Sequence, residues 1–289
     1  MKKKKLPWLA SFVWILPALL FIGAIVYYSI GFTFKLSTVD WNGMLSVPMK
    51  NVGFDNYKKV FSDPVFYKCI KNTVVFFIVT FVIQNFLGFV FAAILHSDVK
   101  LATLHKCLIF IPTILAPATM APVFRLLFSP QGLLQKIFNF MHLPITVDWL
   151  SKPTASLIVL MVVAIWQYTG MSFILYYAAM SQIDREMLEA AQLDGASEVR
   201  ILWSMVFPGC RGTTVSMAML GVIGALKTFD LPWLITPNSL MHATEFLGTY
   251  IYRTGVKQAH FGTAAALSIC LLVMAVIGAL LTNRANRVD

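Results

Sequence analysis

The chain has 289 residues, of which 58% are hydrophobic and 12% charged, about half the charged fraction of a soluble domain. That deficit excludes a disordered chain, a nucleic-acid-binding globule and most soluble enzymes. The net charge of +10 does not reopen the nucleic-acid reading, because Lys2–Lys5 supply four of the charges and the rest are scattered between apolar stretches, the pattern of a membrane-orientation signal.

The composition describes an integral membrane protein, in which a span needs about 20 mostly apolar residues. Six stretches qualify, at about 9–30, 70–95, 106–128, 155–180, 212–229 and 262–282. The first is longer than a cleaved signal core of about 7–15 residues, and Ile30-Gly31-Phe32 is a poor cleavage site. It is expected to remain as a span held by its lysines. The third contains Pro112, Pro117 and Pro122, tolerated in a spanning helix only where neighbours re-satisfy the backbone, so it is expected to lie buried in protein. Between spans, Asn56–Phe61 and Gly132–Met141 read as short surface helices. Cys69, Cys107, Cys210 and Cys270 have no metal or redox spacing and read as small buried hydrophobes. His96, His105, His142, His242 and His260 fall in different loops and read as ordinary solvated side chains.

An even number of spans puts both termini on one side, and Lys2–Lys5, Arg284 and Arg287 place that side in the cytoplasm. The inside segments then carry 11 Lys and Arg in 58 residues, against 12 in 106 outside. Basic density rather than raw number supports the orientation. With no repeat and no low-complexity linker, one transmembrane domain over 1–289 is expected.

Residues 181–211 form the longest segment on the predicted cytoplasmic side and hold five of the thirteen acids: Asp184, Glu186, Glu189, Asp194 and Glu198. Ile183, Met187, Ala190 and Ala191 recur at helical spacing. Gly195 provides a stop and Ser197 an N-cap. Val199, Leu202, Trp203 and Val206 form a second stripe, which Pro208 is expected to close before the fifth span. The pattern is helix, glycine turn, helix, with apolar faces toward the membrane body and polar faces outward. A rigid docking element for a cytoplasmic partner fits it.

Glu189-Ala190-Ala191-Gln192-Leu193-Asp194-Gly195-Ala196, with Pro208 thirteen residues after the glycine, resembles the EAA loop of bacterial ABC importer permeases. Trp166-Gln167-Tyr168-Thr169-Gly170 and Lys227-Thr228-Phe229-Asp230-Leu231-Pro232-Trp233 extend the likeness to the carbohydrate branch. Asn56-Tyr57, Phe110-Ile111-Pro112 and Phe261-Gly262-Thr263-Ala264-Ala265 carry it over nearly the whole chain. The resemblance implies an all-α, polytopic type I importer permease with six transmembrane helices, the first of two paired sugar permeases. It implies a heterodimer with a second permease, two cytoplasmic ATPase subunits that bind ATP and Mg, and an extracytoplasmic solute-binding protein. Membrane lipid surrounds the chain, and no cofactor and no nucleic acid is bound by it. Glu189, Ala190, Ala191, Asp194, Gly195 and Ala196 are the implied contact to the ATPase. The sequence departs from the family at Asp184, where proline is usual, at Met205 and Phe207, and at Pro237-Asn238-Ser239 in place of a Gly-Gly-Pro turn.

Gly221-Val222-Ile223-Gly224-Ala225-Leu226-Lys227-Thr228 superficially resembles a phosphate loop, but two residues separate glycine from lysine and the stretch is apolar helix. Energy is expected from a separate subunit. Candidates for a solute path are the uncharged polar and aromatic groups within spans: Gln84, Asn85, Trp166, Gln167, Tyr168 and Ser172. Such groups suit a neutral sugar and equally suit bonding between helices, and the sequence leaves both roles open. Asp230 and Arg125 sit near span ends and read as interfacial. The reading is a permease subunit moving a carbohydrate, an oligosaccharide by preference, across the cytoplasmic membrane by alternating access. The alternative is a self-contained secondary transporter or channel, which calls for ionisable groups that the span centres do not offer.

Overall fold

In a computed structural model of the chain, the described residues are 7–97, 99–143, 148–237 and 240–286. Lys2–Lys5, Asn238, Ser239 and Arg287, which enter the sequence reading, lie outside them. The chain begins with α1 (Pro7–Phe21), a π turn at Ile22–Tyr27, α2 (Tyr28–Ser37), strands β1 (Val39–Asp40) and β2 (Lys50–Asn51), and α3 (Asp55–Ser62). Then come α4 (Pro64–His96), α5 (Ala102–Ile114), α6 (Pro117–Leu127), α7 (Leu133–Phe140) and α8 (Pro153–Met180). After these lie α9 (Arg185–Leu193), α10 (Glu198–Ile201), a π turn at Leu202–Val206, α11 (Phe207–Gly209) and α12 (Arg211–Leu226). The last are α13 (Asp230–Ile235), α14 (Leu247–Tyr252) and α15 (Phe261–Asn286). Both expected surface helices are present, as α3 and α7.

Among the described residues, four helical stretches are long and apolar enough to cross a membrane, Phe12–Ser37, Pro64–His96, Pro153–Met180 and Phe261–Arg284. The count rises to six when each of two bent pairs is taken as one span: α5 with α6, bent by 95°, and Glu198–Gly209 with α12, bent by 61°. These are the third and fifth predicted spans. The first span continues to Ser37, beyond the expected end near residue 30, and the second begins at Pro64 rather than 70.

The chain divides into two compact units. One comprises the residues up to Asp63 with Ile251–Leu272, and its centre is a buried asparagine. Asn56 Nδ2 donates to the Ser37 and Val39 carbonyls at 2.9 Å each, and Thr263 Oγ1 donates to Asn56 Oδ1 at 3.2 Å. The Tyr57 hydroxyl lies 2.7 Å from Ser37 Oγ. β1 pairs antiparallel with β2, Val39 opposite Asn51. The Phe261 ring packs on Trp41 at 5.6 Å, and its backbone N–H donates to the Trp41 carbonyl. Asn56-Tyr57 and Phe261-Gly262-Thr263, two motifs far apart in sequence, are therefore one hydrogen-bonded knot.

The second unit comprises Pro64–Tyr250 and the residues from Val273 on. Its spine is α4, whose 33 residues extend roughly 50 Å, packed along α8. The helices approach closely where Gly88 meets α8: a Cβ there would lie 2.5 Å from the Ser172 Cβ. Two apolar clusters follow from the pairing. Phe76, Val159, Leu160, Val163, Ala164, Leu231, Ile235 and Phe246 gather at the N-terminal halves of α4 and α8. Phe89, Ala92, Phe173, Tyr176, Ile201, Cys210 and Met217 gather at the C-terminal halves. Thr73, Thr80 and Thr169 bond the carbonyls four residues back, which satisfies hydroxyls that bilayer hydrocarbon would leave unpaired.

Several expectations are corrected. The proline-rich third span is not buried within this chain: among the described side chains of α5 and α6, Pro112, Met120 and Ala121 are buried, and most others are partly or well exposed. Its prolines are accommodated by breaking the helix between Ile114 and Pro117 rather than by enclosing it. Pro208 does not close the second cytoplasmic-segment helix. It lies near the end of the continuous helix Glu198–Gly209, just past the π turn at Leu202–Val206, and the bend comes at Cys210. All four cysteines are free, but Cys107 is exposed and Cys270 only half-buried. His242 is not merely solvated: its Nδ1 lies 3.1 Å from the fully buried Glu245 carboxylate. Asn72 Nδ2 fastens the same loop through the carbonyls of His242, Ala243 and Glu245.

Candidate functional site

Two features of the second unit bear on function, the acidic helix-turn-helix and a cavity. Asp184 caps α9 by accepting from the Glu186 N–H at 3.0 Å, so this residue takes over the start of the helix where proline is usual. Gly195 has φ +81°. Its N–H donates to the Gln192 carbonyl and the Ala196 N–H to the Ala191 carbonyl, each at 3.0 Å, the paired bonds of a Schellman C-cap. Ser197 Oγ then accepts from the Arg200 N–H at 3.4 Å and opens α10. Helix, turn and helix are thus fixed by residues within a few positions of one another.

The packing face differs from the expected stripe. Ile183, Leu188, Ala191 and Ala196 pack against the C-terminal cluster, while Met187 and Ala190 are exposed. A helical repeat of 3.6 allows either 187 or 188 to align with 191, and packing selects Leu188. Glu189, Ala190, Asp194 and Gly195 stand in the open, beside Leu193 at 89% exposure and Val199 at 68%. An acidic rim around uncovered apolar side chains is a surface suited to a protein partner.

The cavity, of about 340 Å³, lies between the two apolar clusters and is walled by α4, α8, α12 and the start of α13. Gln84, Asn85, Tyr168 and Ser172 line it, as does Thr80. Gln84 Nε2 donates to the Ala164 carbonyl at 2.9 Å. Asn85 Nδ2 donates to the Phe81 carbonyl at 2.7 Å, whereas its buried Oδ1 has no partner among the described residues. An uncompensated buried acceptor of this kind costs about 1–3 kcal/mol.

Trp166 and Gln167 do not line this cavity. Trp166 meets Phe124 edge-on at 5.1 Å. Gln167 is 1% exposed, its Nε2 donates to the Leu115 carbonyl at 2.9 Å, and its backbone carbonyl accepts from Thr113 Oγ1 at 2.9 Å. It braces the break between α5 and α6. Gln167→Leu should lower stability by about 2 kcal/mol by stranding the Leu115 carbonyl, read as a drop in detergent melting temperature, and an unchanged melting temperature would remove this bracing role.

Sequence reasoning missed one wall. Lys227 and Asp230 line the cavity, although Asp230 was expected to be interfacial, and Gly221 and Gly224 line it with Leu220 and Met217. The chain turns back after α12, with Phe229 at φ −138° and ψ −53°, and this carries Asp230 onto the wall. The available signal was the spacing Gly221, Gly224, Thr228, one small-residue face of an apolar helix. The false phosphate loop is that face.

Residues 84–287 match the family described as binding-protein-dependent transport system inner membrane component. A probable ABC transporter permease protein of Bacillus subtilis is 27% identical over 91% of each chain. The arabinooligosaccharides transport system permease protein of Halalkalibacterium halodurans is 26% identical over 88% of this chain and 81% of its own. Among solved structures, a chain of a bacterial alginate ABC transporter in complex with alginate pentasaccharide-bound periplasmic protein superposes with a TM-score of 0.84 at 20% identity, covering 96% of this chain and 94% of that one. The family match spans most of the chain and the helical fold agrees with it, so this protein belongs to the binding-protein-dependent transport system inner membrane components, as a multi-pass transport subunit of an ABC importer rather than an enzyme.

Proposed function

We propose that the chain is one of two paired permeases of a carbohydrate importer and that it conducts an oligosaccharide by alternating access. Both termini face the cytoplasm, and residues 181–211 meet a cytoplasmic ATPase, one of two that bind ATP and Mg. Glu189, Ala190, Ala191, Asp194, Gly195 and Ala196 form the contact. A solute-binding protein outside delivers the sugar to the cavity between α4, α8 and α12. The observation that carries the solute assignment is the lining itself. Gln84, Asn85, Tyr168 and Ser172 offer amides, hydroxyls and an aromatic face, and Asn85 Oδ1 has no partner among the described residues. Sugar hydroxyls seek such groups, and the apolar faces of the rings pack on aromatics. The relatives named for arabinooligosaccharides and alginate support the same class.

The test is uptake of labelled di- to pentasaccharides by cells with and without the chain, together with Asn85→Ala. Loss of one hydrogen bond to the solute, about 1–1.5 kcal/mol, predicts roughly tenfold lower uptake at limiting sugar. Uptake independent of the chain across the whole panel would overturn the substrate class, and full uptake by Asn85→Ala would remove the cavity residue from the path.

A further inference from the structure

One aromatic side chain of α4 stands where α8 meets the helix that follows the docking turn. Phe89 of α4 is 1% exposed. Its ring meets Tyr176 of α8 edge-on at 5.5 Å, Phe207 of α11 edge-on at 5.1 Å, and Trp203 of the π turn at 5.4 Å. Trp203 and Phe207 also pack on each other at 5.5 Å. Tyr176 is fully buried, and its hydroxyl lies 2.8 Å from Thr214 Oγ1 on the first turn of α12, just past the 61° bend.

Phe89, Tyr176 and its partner Thr214 are each about one helical turn from a cavity-lining residue on the same helix. Phe89 follows Asn85 by four positions and Tyr176 follows Ser172 by four, while Met217 follows Thr214 by three. Helices move as near-rigid bodies over so short a distance. The close approach of Gly88 to Ser172 locks α4 and α8 together at the same level. On the side of the docking segment the helix is irregular: a π turn at Leu202–Val206, one of three among the described residues, then a bend at Cys210. π turns are frequently found at functional sites. Displacing α9 and α10 therefore moves Trp203 and Phe207 against Phe89, one turn from the cavity-lining Asn85.

We infer that Phe89, gripped by Trp203, Phe207 and Tyr176, is the positioning residue through which movement of the docking segment reaches the cavity. The inference rests on the reading of 181–211 as the ATPase contact. The Trp203 ring packs on Phe86, Phe89 and Phe207 and is not one of the residues proposed to contact the ATPase, so co-purification of the ATPase subunit separates its role from docking.

The experiment uses the full complex in proteoliposomes with Phe89→Leu, Trp203→Leu and the double variant. The readouts are the ratio of binding-protein-stimulated to unstimulated ATPase activity, sugar uptake, and the amount of ATPase subunit that co-purifies. Each single variant should retain the ATPase subunit while its stimulation ratio and uptake fall about tenfold. The double variant should be no worse than either single, since one contact is removed in all three. Trp203→Phe should restore most of the ratio, which separates transmission from a mere loss of packing. If Phe89→Leu fails to accumulate in the membrane, Trp203→Leu and Trp203→Phe decide the matter alone. Wild-type stimulation in Trp203→Leu, or losses that multiply in the double variant, would overturn the inference. Loss of the ATPase subunit from Trp203→Leu would overturn it too. The docking reading fails separately, if no ATPase subunit co-purifies with the wild-type chain.

Discussion

Gly195→Asp should reduce solute uptake at least tenfold while the protein stays inserted at its normal level. The position has φ +81°, and a Cβ there meets no atom within 4 Å, so the substitution creates no clash in the chain itself. Its local cost is the left-handed backbone, about 1–2 kcal/mol for an L-residue and least for Asn and Asp. That is small beside a typical folding stability of about 5–15 kcal/mol. What changes is the outward surface. A fourth carboxylate appears beside the exposed Glu189, Asp194 and Glu198, and the Schellman turn that sets the angle between α9 and α10 is strained. Both act where the ATPase subunit is proposed to dock, and rigid docking tolerates neither. Membrane level is measured by immunoblot and uptake with labelled sugar. Normal uptake at a normal level would remove Gly195 and its neighbours from coupling.

The second large effect is structural and lies in the other unit. Gly262→Ala should lower stability by about 3 kcal/mol, the upper end of ordinary overpacking. The added methyl would fall 1.9 Å from the Val39 carbonyl oxygen and 2.9 Å from Asn56 Nδ2. Neither can retreat cheaply. Val39 is 7% exposed and accepts from Asn56, and Asn56, 1% exposed, is itself held by three hydrogen bonds. Relief on one side breaks the knot on the other, leaving buried polar groups unpaired. Detergent melting temperature and membrane level report the loss. Gly31→Ala, where a Cβ has open space, serves as the control and should be close to neutral. Equal melting temperatures for the two variants would sink the argument.

These two glycines differ in how legible they were. Gly195 could be read because its cap is local: Gln192, Ala191 and Ala196 are within four residues, and the turn needs nothing else. Gly262 could be recognised as part of a resemblance, but its reason comes from Val39 and Asn56, more than 200 residues away. The solute candidates divide in the same way. Gln84, Asn85, Tyr168 and Ser172 share the cavity while Gln167, adjacent to Tyr168, braces a broken helix. Nothing in the sequence near 167 states that Leu115 will present an open carbonyl there.

By itself the sequence determined the membrane character, the helical stretches and the helix-turn-helix of residues 184–209, because apolar length, caps and the glycine stop act over one or two turns. Even the low charge fraction carried position, since the scarce acids collect in one exposed segment. Only the tertiary structure decided where the third and fifth spans bend, which face of α9 packs inward, and that Asp230 and the glycines of α12 join α4 and α8 around one cavity. Those outcomes depend on the rotation of each helix about its own axis. That rotation is set by close contacts such as Gly88 with Ser172 and Phe89 with Trp203, between residues roughly 80 to 115 positions apart.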